Sequence, residues 1–254
     1  LLLPISNLTN LLAQDSLGLS TPAFAALSWP AAMVSVVVTV VVLAVRFRRD
    51  LRGTYVVPPH PGVEDRVLFW VAAAVCALLG PLVVVGLPFA GVATGLALVL
   101  VAAFAVRRPS ALRISLVPWR LVVLVVGLFV VVAGAHAHGL DEALLRLTGT
   151  GATTGDLLQL GAVATVGANV VNNLPAYAAL EPTADGGLRT MALLVGVNCG
   201  PLVLLWGSLA TLLWRERCRA RGIEIGWRGF GALGLVGVPL VVGAGILATS
   251  LLAA

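Results

Sequence analysis

Residues 67–106 run for 40 positions without one charged side chain. About 20 apolar residues in a helix span the hydrocarbon of a bilayer, so this run is long enough for two crossings. Gly80-Pro81 and Leu87-Pro88 are its candidate breaks. Further apolar runs, around 27–47, 121–137, 191–214 and 231–254, approach the same length. Only 11% of the 254 residues are charged, against about 25% in soluble domains. The fold class is therefore all-α, a polytopic membrane protein. The polar–apolar alternation of barrel strands is not seen.

Charge placement supports this. The chain carries 16 basic and 11 acidic residues, a net charge of +5. In a soluble chain such a surplus would suggest nucleic acid. Here the arginines gather where apolar runs stop: Arg46, Arg48, Arg49 and Arg52; Arg107, Arg108, Arg113 and Arg120; Arg215, Arg217, Arg219, Arg221 and Arg228. That is the positive-inside pattern, with all three clusters on the cytoplasmic side of an inner membrane. Nucleic-acid binding is not expected. Cys76, Cys199 and Cys218 lie far apart with no C-x-x-C, which argues against a disulfide framework or a zinc site. The opening L-L-L-P-I-S-N has no methionine and no charged leader, so it is not a signal peptide. It reads as the inside of a hydrophobic element, and upstream sequence is expected.

Two polar islands interrupt the oil. One is G-A-N-V-V-N-N-L-P at 167–175, which sets Asn169, Asn172 and Asn173 within five residues; the other is I-S-N-L-T-N at 5–10. An unpaired amide in lipid costs roughly a few kcal/mol. Irregular backbone at membrane depth is tolerated only where it is buried in protein or lines a cavity. Each island is therefore read as the tip of a re-entrant hairpin. Each is followed by a polar link, an apolar span and an arginine stop, with 39 residues from Asn7 to Arg46 and 42 from Asn173 to Arg215. This suggests two structural repeats, each with a hairpin and an interrupted transmembrane helix.

Three segments follow. Residues 1–66 hold a hairpin tip, a broken span with Pro30 early in it, and a loop with Pro58, Pro59 and Pro61. Residues 67–137 are scaffold helices. Residues 138–254 hold an interfacial helix near 140–147, the second hairpin over 155–180, a span interrupted at Asn198-Cys199-Gly200-Pro201, and a last span. Counting gives four crossings between the islands, which opens both hairpins to one side. Inverted repeats need an odd number. Either a further crossing lies within 67–106, or one arginine cluster faces out.

P-I-S-N-L-T-N-L, G-A-N-V-V-N-N-L-P, V-P-W-R-L-V-V-L-V-V-G-L-F-V-V-V, and G-V-N-C-G-P followed by G-S-L-A-T-L-L-W resemble the ArsB-type arsenite/antimonite efflux permeases of the ArsB/NhaD branch of the ion transporter superfamily. The resemblance spans nearly the whole chain, and family members are longer at the N-terminus. It implies two re-entrant hairpins, two broken helices, and proton-driven extrusion of trivalent arsenic or antimony. It also implies a soluble arsenite-stimulated ATPase as a partner for some members. Family members are expected to carry an aspartate where Asn198 stands, so this chain lacks one candidate proton carrier.

The residues suit that cargo. As(III) in neutral water is mainly the uncharged triol As(OH)3, which needs donors and acceptors rather than a charge. Amides and hydroxyls offer both. The candidate substrate contacts are Ser6, Asn7, Thr9 and Asn10 from one half, and Asn169, Asn172, Asn173, Asn198 and Ser208 from the other. The competing reading is that these groups only cap helix ends. Asp15, Glu181 and Asp185 follow the hairpins and are candidate proton-relay groups; the alternative is solvated carboxylates. Cys199 invites thought of As(III)–thiolate bonding, but one thiol is no trithiolate site. His136, His138, Asp141 and Glu142 form a loose metal set that reads as a solvated loop end. No cofactor and no resident metal are expected.

The main reading is a secondary transporter, not an enzyme. Its partners are the inorganic solute, protons, lipid, a soluble ATPase and a second copy of the chain as a homodimer. The same fold could instead exchange Na+ for H+ or move a dicarboxylate. Sodium would favour carboxylates or stacked carbonyls, and a dicarboxylate would favour a basic residue within a span. The scarcity of both favours an uncharged solute. A metal-dependent intramembrane enzyme built on His136, His138 and Asp141 is the remaining alternative.

Overall fold

A computed structural model describes residues 1–54, 56, 62–117 and 119–252. The expected loop prolines Pro58, Pro59 and Pro61 lie outside them. Every regular element among the described residues is helical. Eleven α-helices follow in order: α1 Leu8–Ser16, α2 Thr21–Arg46, α3 Arg66–Val84, α4 Phe89–Arg107, α5 Trp119–His136, α6 Leu140–Thr148, α7 Thr154–Val171, α8 Asn173–Leu180, α9 Gly187–Cys199, α10 Leu209–Arg219 and α11 Trp227–Leu252. Four of them, α2, α3, α4 and α11, are long and apolar enough to cross a bilayer. The pair α5–α6 adds a bent candidate, turned by 86° at Gly139, whose φ of 89° suits a residue without Cβ. A helix stands where one is expected near 140–147, namely α6.

Local chemistry sets the boundaries. Ser20 caps α2 by accepting from Ala23 N, and Asp65 caps α3 by accepting from Leu68 N at 3.0 Å. The charge-free run divides into α3 and α4 at residues 85–88, before Pro88; Pro81 stays inside α3. Arg107, at the end of α4, donates to Asp65 at 2.6 Å and holds that carboxyl below the usual range. Thr153 and Asp156 form a capping box at the start of α7.

The core surrounds α9. Met191, Ala192, Leu193, Leu194, Val195 and Val197 are all buried, as expected of a helix apolar on every side. It packs against α7, α11, α8, α2 and α1. Many apolar side chains of α3, α4 and α5 instead face outward, Val123 and Leu98 among them, as a lipid-facing surface requires.

Contacts fix the direction of each helix. The ion pair Asp65–Arg107 joins the start of α3 to the end of α4. Gly237 of α11 lies against Val42, and Gly245 against Ser35, so α11 runs antiparallel to α2. The three arginine clusters therefore share one side. On the opposite side Ser16 donates to Glu181 at 2.5 Å, His136 meets the Ala178 carbonyl, and Thr154 meets Ser250. Four helices, α2 to α5, separate the two asparagine islands, and α1 and α8 both lead to this opposite side. Neither escape from the parity problem is taken: among the described residues, 67–106 form the two helices α3 and α4 and no third, and no arginine cluster lies on the side opposite the other two. An inverted relation between halves is thus not found.

The expected interruptions also differ between halves. The later span breaks over residues 200–208, between α9 and α10. The earlier one does not break, because α2 carries Pro30 within a continuous helix. Pro30 comes without the glycine and asparagine that accompany Pro201, so nothing local offers the backbone an alternative.

Candidate functional site

Helix α9 stops at Cys199 because Gly200 and Pro201 follow; proline supplies no N–H and disfavours helix in the residue before it. The backbone stays irregular until Ser208, which accepts from Thr211 N at 3.1 Å and starts α10. An irregular segment in a membrane bundle must find partners for its amides and carbonyls. The second island supplies them. Asn169 of α7 donates to the Gly200 carbonyl at 2.9 Å, and its Oδ1 accepts from Val203 N at 3.2 Å and Leu204 N at 2.9 Å. Asn172 donates to the Trp206 carbonyl at 2.8 Å, and the Asn173 backbone N–H donates to the Gly207 carbonyl at 2.9 Å.

Asn172 is held under strain. It has φ 85° and ψ 153°, and is the one non-glycine with positive φ among the described residues. That region is nearly reserved for glycine and costs about 1–3 kcal/mol. Its Oδ1 is buried without a hydrogen-bond partner.

The first island grips the end of α9 just before the break. Asn198 Oδ1 accepts from Asn7 Nδ2 at 2.6 Å and from Thr9 Oγ1 at 2.8 Å, while Asn198 Nδ2 donates to Asn10 Oδ1 at 2.9 Å. Asn10 in turn donates to Ser6 Oγ at 3.0 Å and to the Leu3 carbonyl at 3.2 Å. Thr9 and Asn10 are fully buried. The two islands, far apart in sequence, thus meet at one broken helix, the first on Asn198 at the end of α9 and the second on the loop from Gly200 to Gly207.

A cavity of about 500 Å³ opens beside this network, its polar lining being Ser6, Asn7, Ser35, Thr39, Asn198 and Cys199. No Asp, Glu, His, Lys or Arg lines it. The Ser35 hydroxyl is buried without a partner. A second, apolar chamber of about 230 Å³ shares Thr39, Cys199, Leu202 and Val241 with the first, and follows α2 and α11 towards Phe230 and the arginine-rich side.

The nine expected contact residues therefore separate by role. Ser6, Asn7 and Asn198 line the cavity; Thr9 and Asn10 orient Asn198. Asn169, Asn172 and Asn173 hold the loop, and Ser208 caps α10. Asp15 lies on a different cavity, beside Gln14 and the α3–α4 turn. Glu181 accepts from Ser16, and Asp185 is exposed. His136 Nδ1 lies 2.5 Å from Asp141, and His138, just past the end of α5, bonds back to the Gly134 carbonyl. No group of three or more metal-capable side chains gathers among the described residues.

Two residues escaped the sequence reading. Ser35 shares an α2 face with Ser28 and Thr39, seven residues after one and four before the other, a helical hydroxyl stripe visible in the sequence. Arg189 lies in the first turn of α9, two residues before the span read from Met191 onward. It is buried, and it donates to the carbonyls of Thr183, Gly149 and Gly151. Its donors are spent on backbone, so it staples the 149–151 turn to α9 and stays clear of the cavity.

Helices of spanning length, and one helix broken beside a cavity without Asp, Glu, His, Lys or Arg, define a multi-pass membrane protein. The chain belongs to the citrate transporter family, CitMHS, which it matches over residues 1–207. It is also similar to proteins named arsenical pump membrane protein: 27% identical to one from Escherichia coli over 91% of this chain, and 28% to those of Escherichia coli strain K12 and Yersinia enterocolitica over the same share. The chain spans 59% of the length of these relatives. No solved structure matches it.

Proposed function

We propose that this chain exports trivalent arsenic and antimony, as the uncharged As(OH)3 and Sb(OH)3, across the cytoplasmic membrane at the expense of the proton gradient. The observation that carries the reading is the cavity at the helix break, whose polar lining is amides, hydroxyls and the Cys199 thiol, with no Asp, Glu, His, Lys or Arg. A neutral triol meets donors and acceptors there. A tricarboxylate such as citrate would need cations, and the guanidinium of Arg189 is occupied elsewhere. The name shared by the arsenical pump relatives points the same way.

In this reading Ser6, Asn7 and Asn198 contact the solute, with Ser35 as a fourth group. Asn169, Asn172 and Asn173 set the shape of the break. Rocking of the bundle alternates access to the cavity. Asn198 carries no proton, so coupling passes through carboxylates on the side opposite the arginines, with Asp15, Glu181 and Asp185 as candidates. The test is uptake of As(III) into everted vesicles. Uptake above empty vesicles, lost with a proton uncoupler, is expected. Uptake equal to empty vesicles, or movement of citrate in place of As(III), would overturn the proposal.

A further inference from the structure

On the arginine-rich side, a groove of about 580 Å³ lies between α10, the start of α11 and the loop of the broken helix. Arg215 and Arg228 sit on its lining with Trp206 and Trp227, together with the buried Leu205 and the outward-facing Leu235. The Trp214 ring of α10 lies tilted against the Phe230 ring of α11, with ring centres 6.2 Å apart. The Arg228 guanidinium lies 5.5 Å from the Trp227 ring centre. Among the described residues neither Arg215 nor Arg228 forms an ion pair, although Glu216 and Glu224 are nearby in sequence. Trp227 is 68% exposed and Trp206 52%.

Two unpaired guanidinium groups at the mouth, an apolar slot behind them and indole rings at the rim match the parts of one molecule. A phosphate satisfies the arginines, the indoles suit the headgroup level, and acyl chain fills the slot. We propose that this groove binds an anionic glycerophospholipid from the arginine-rich leaflet. Its inner wall is the backbone of residues 203–206, whose other side is clamped by Asn169 and Asn172. A bound lipid therefore bears directly on the helix break.

The groove's tryptophans make the test direct. The full chain is reconstituted into vesicles of phosphatidylcholine carrying a brominated lipid, either phosphatidylglycerol or phosphatidylcholine, and tryptophan quenching is titrated. Wild type should prefer the anionic lipid on the order of five-fold or more, at roughly five-fold per arginine near the surface. R215Q/R228Q should lose the preference, and R228Q alone should lose part of it. R48Q/R49Q, which removes equal charge from the end of α2, should keep it. R215K/R228K serves as the folding control and should retain most of it. Equal quenching by both lipids in wild type would overturn the proposal. So would a preference undiminished in R215Q/R228Q, or one removed equally by R48Q/R49Q. None of these outcomes depends on what the protein transports.

Discussion

Asn198 is the most informative position to perturb, because three hydrogen bonds from the first island end on it. Asn198→Ala removes them together and leaves the Asn7 and Thr9 donors and the Asn10 acceptor unmatched. Between membrane helices a side-chain hydrogen bond contributes about 0.6 kcal/mol, up to about 1.7. The fully buried Thr9 and Asn10 raise the cost, since an orphaned buried group costs about 1–3 kcal/mol. The expected loss is about 2–5 kcal/mol, read as a lower unfolding temperature in detergent, together with loss of transport. Asn7→Ala alone removes one bond and should cost about 1 kcal/mol. The double variant should cost less than the sum, with a coupling of about 0.5–2 kcal/mol.

Asn198→Asp separates hydrogen bonding from charge. As the neutral acid it accepts from Asn7 and Thr9 and donates to Asn10, so the network survives. As the anion it turns a second oxygen towards Asn10 Oδ1 with no proton between them. The variant should therefore be stable in acidic buffer and lose stability as the pH rises. Strict additivity of Asn7→Ala and Asn198→Ala, or full stability of Asn198→Ala, would refute the claim that this contact ties the first island to the break.

Other outcomes follow from separate contacts. Arg189→Met should cost about 2–5 kcal/mol in detergent stability, because hydrogen bonds to a charged group contribute about 1.5–3 kcal/mol. Arg189→Lys should rescue little, since an ammonium does not reproduce the fork that spans three carbonyl-bearing residues. At Asn172, the alanine variant should be less stable than the glycine variant by about 1–3 kcal/mol, the strain of its backbone; both should lose transport with the Trp206 clamp. A Cβ at Gly234 would overlap the Leu202 carbonyl, so Gly234→Ala should displace α11 from the break, cost about 1–3 kcal/mol and impair uptake. Asp65, its carboxyl held down first by Arg107, stabilises the α3–α4 pair at neutral pH, and that contribution is lost as the pH falls through the lowered value. Arg107→Gln should flatten this acid dependence in a stability–pH profile.

The order in which the molecule disclosed itself in sequence has a physical basis. Membrane spans are written in composition, because lipid offers no partner to a backbone amide or a charge; the helices at α3, α4 and α11 were legible from apolar length alone. The later break was legible because Asn198, Gly200 and Pro201 concentrate three reasons to leave a helix at one place. The earlier span offered only Pro30, and one proline can be absorbed when neighbouring turns hold. What the pattern did not disclose was division of labour. Asparagine looks the same whether it binds a solute, orients another asparagine or clamps a loop, and the choice is made by partners up to 191 positions away. That explains why all nine polar candidates were read as one shell, although only Ser6, Asn7 and Asn198 line the cavity. Arg189 and Ser35 escaped for the opposite reason. Each is a single polar residue in an apolar stretch, without a cluster to mark it, and its meaning lies in which backbone or cavity it meets. The division also predicts a difference. Mutating a lining residue such as Asn7 should change the apparent affinity for As(III) as well as rate. Mutating Asn169, whose bonds all go to backbone, should lower rate and stability together and leave selectivity between arsenite and antimonite unchanged. A selectivity change in Asn169→Ala would place the solute against the second island after all.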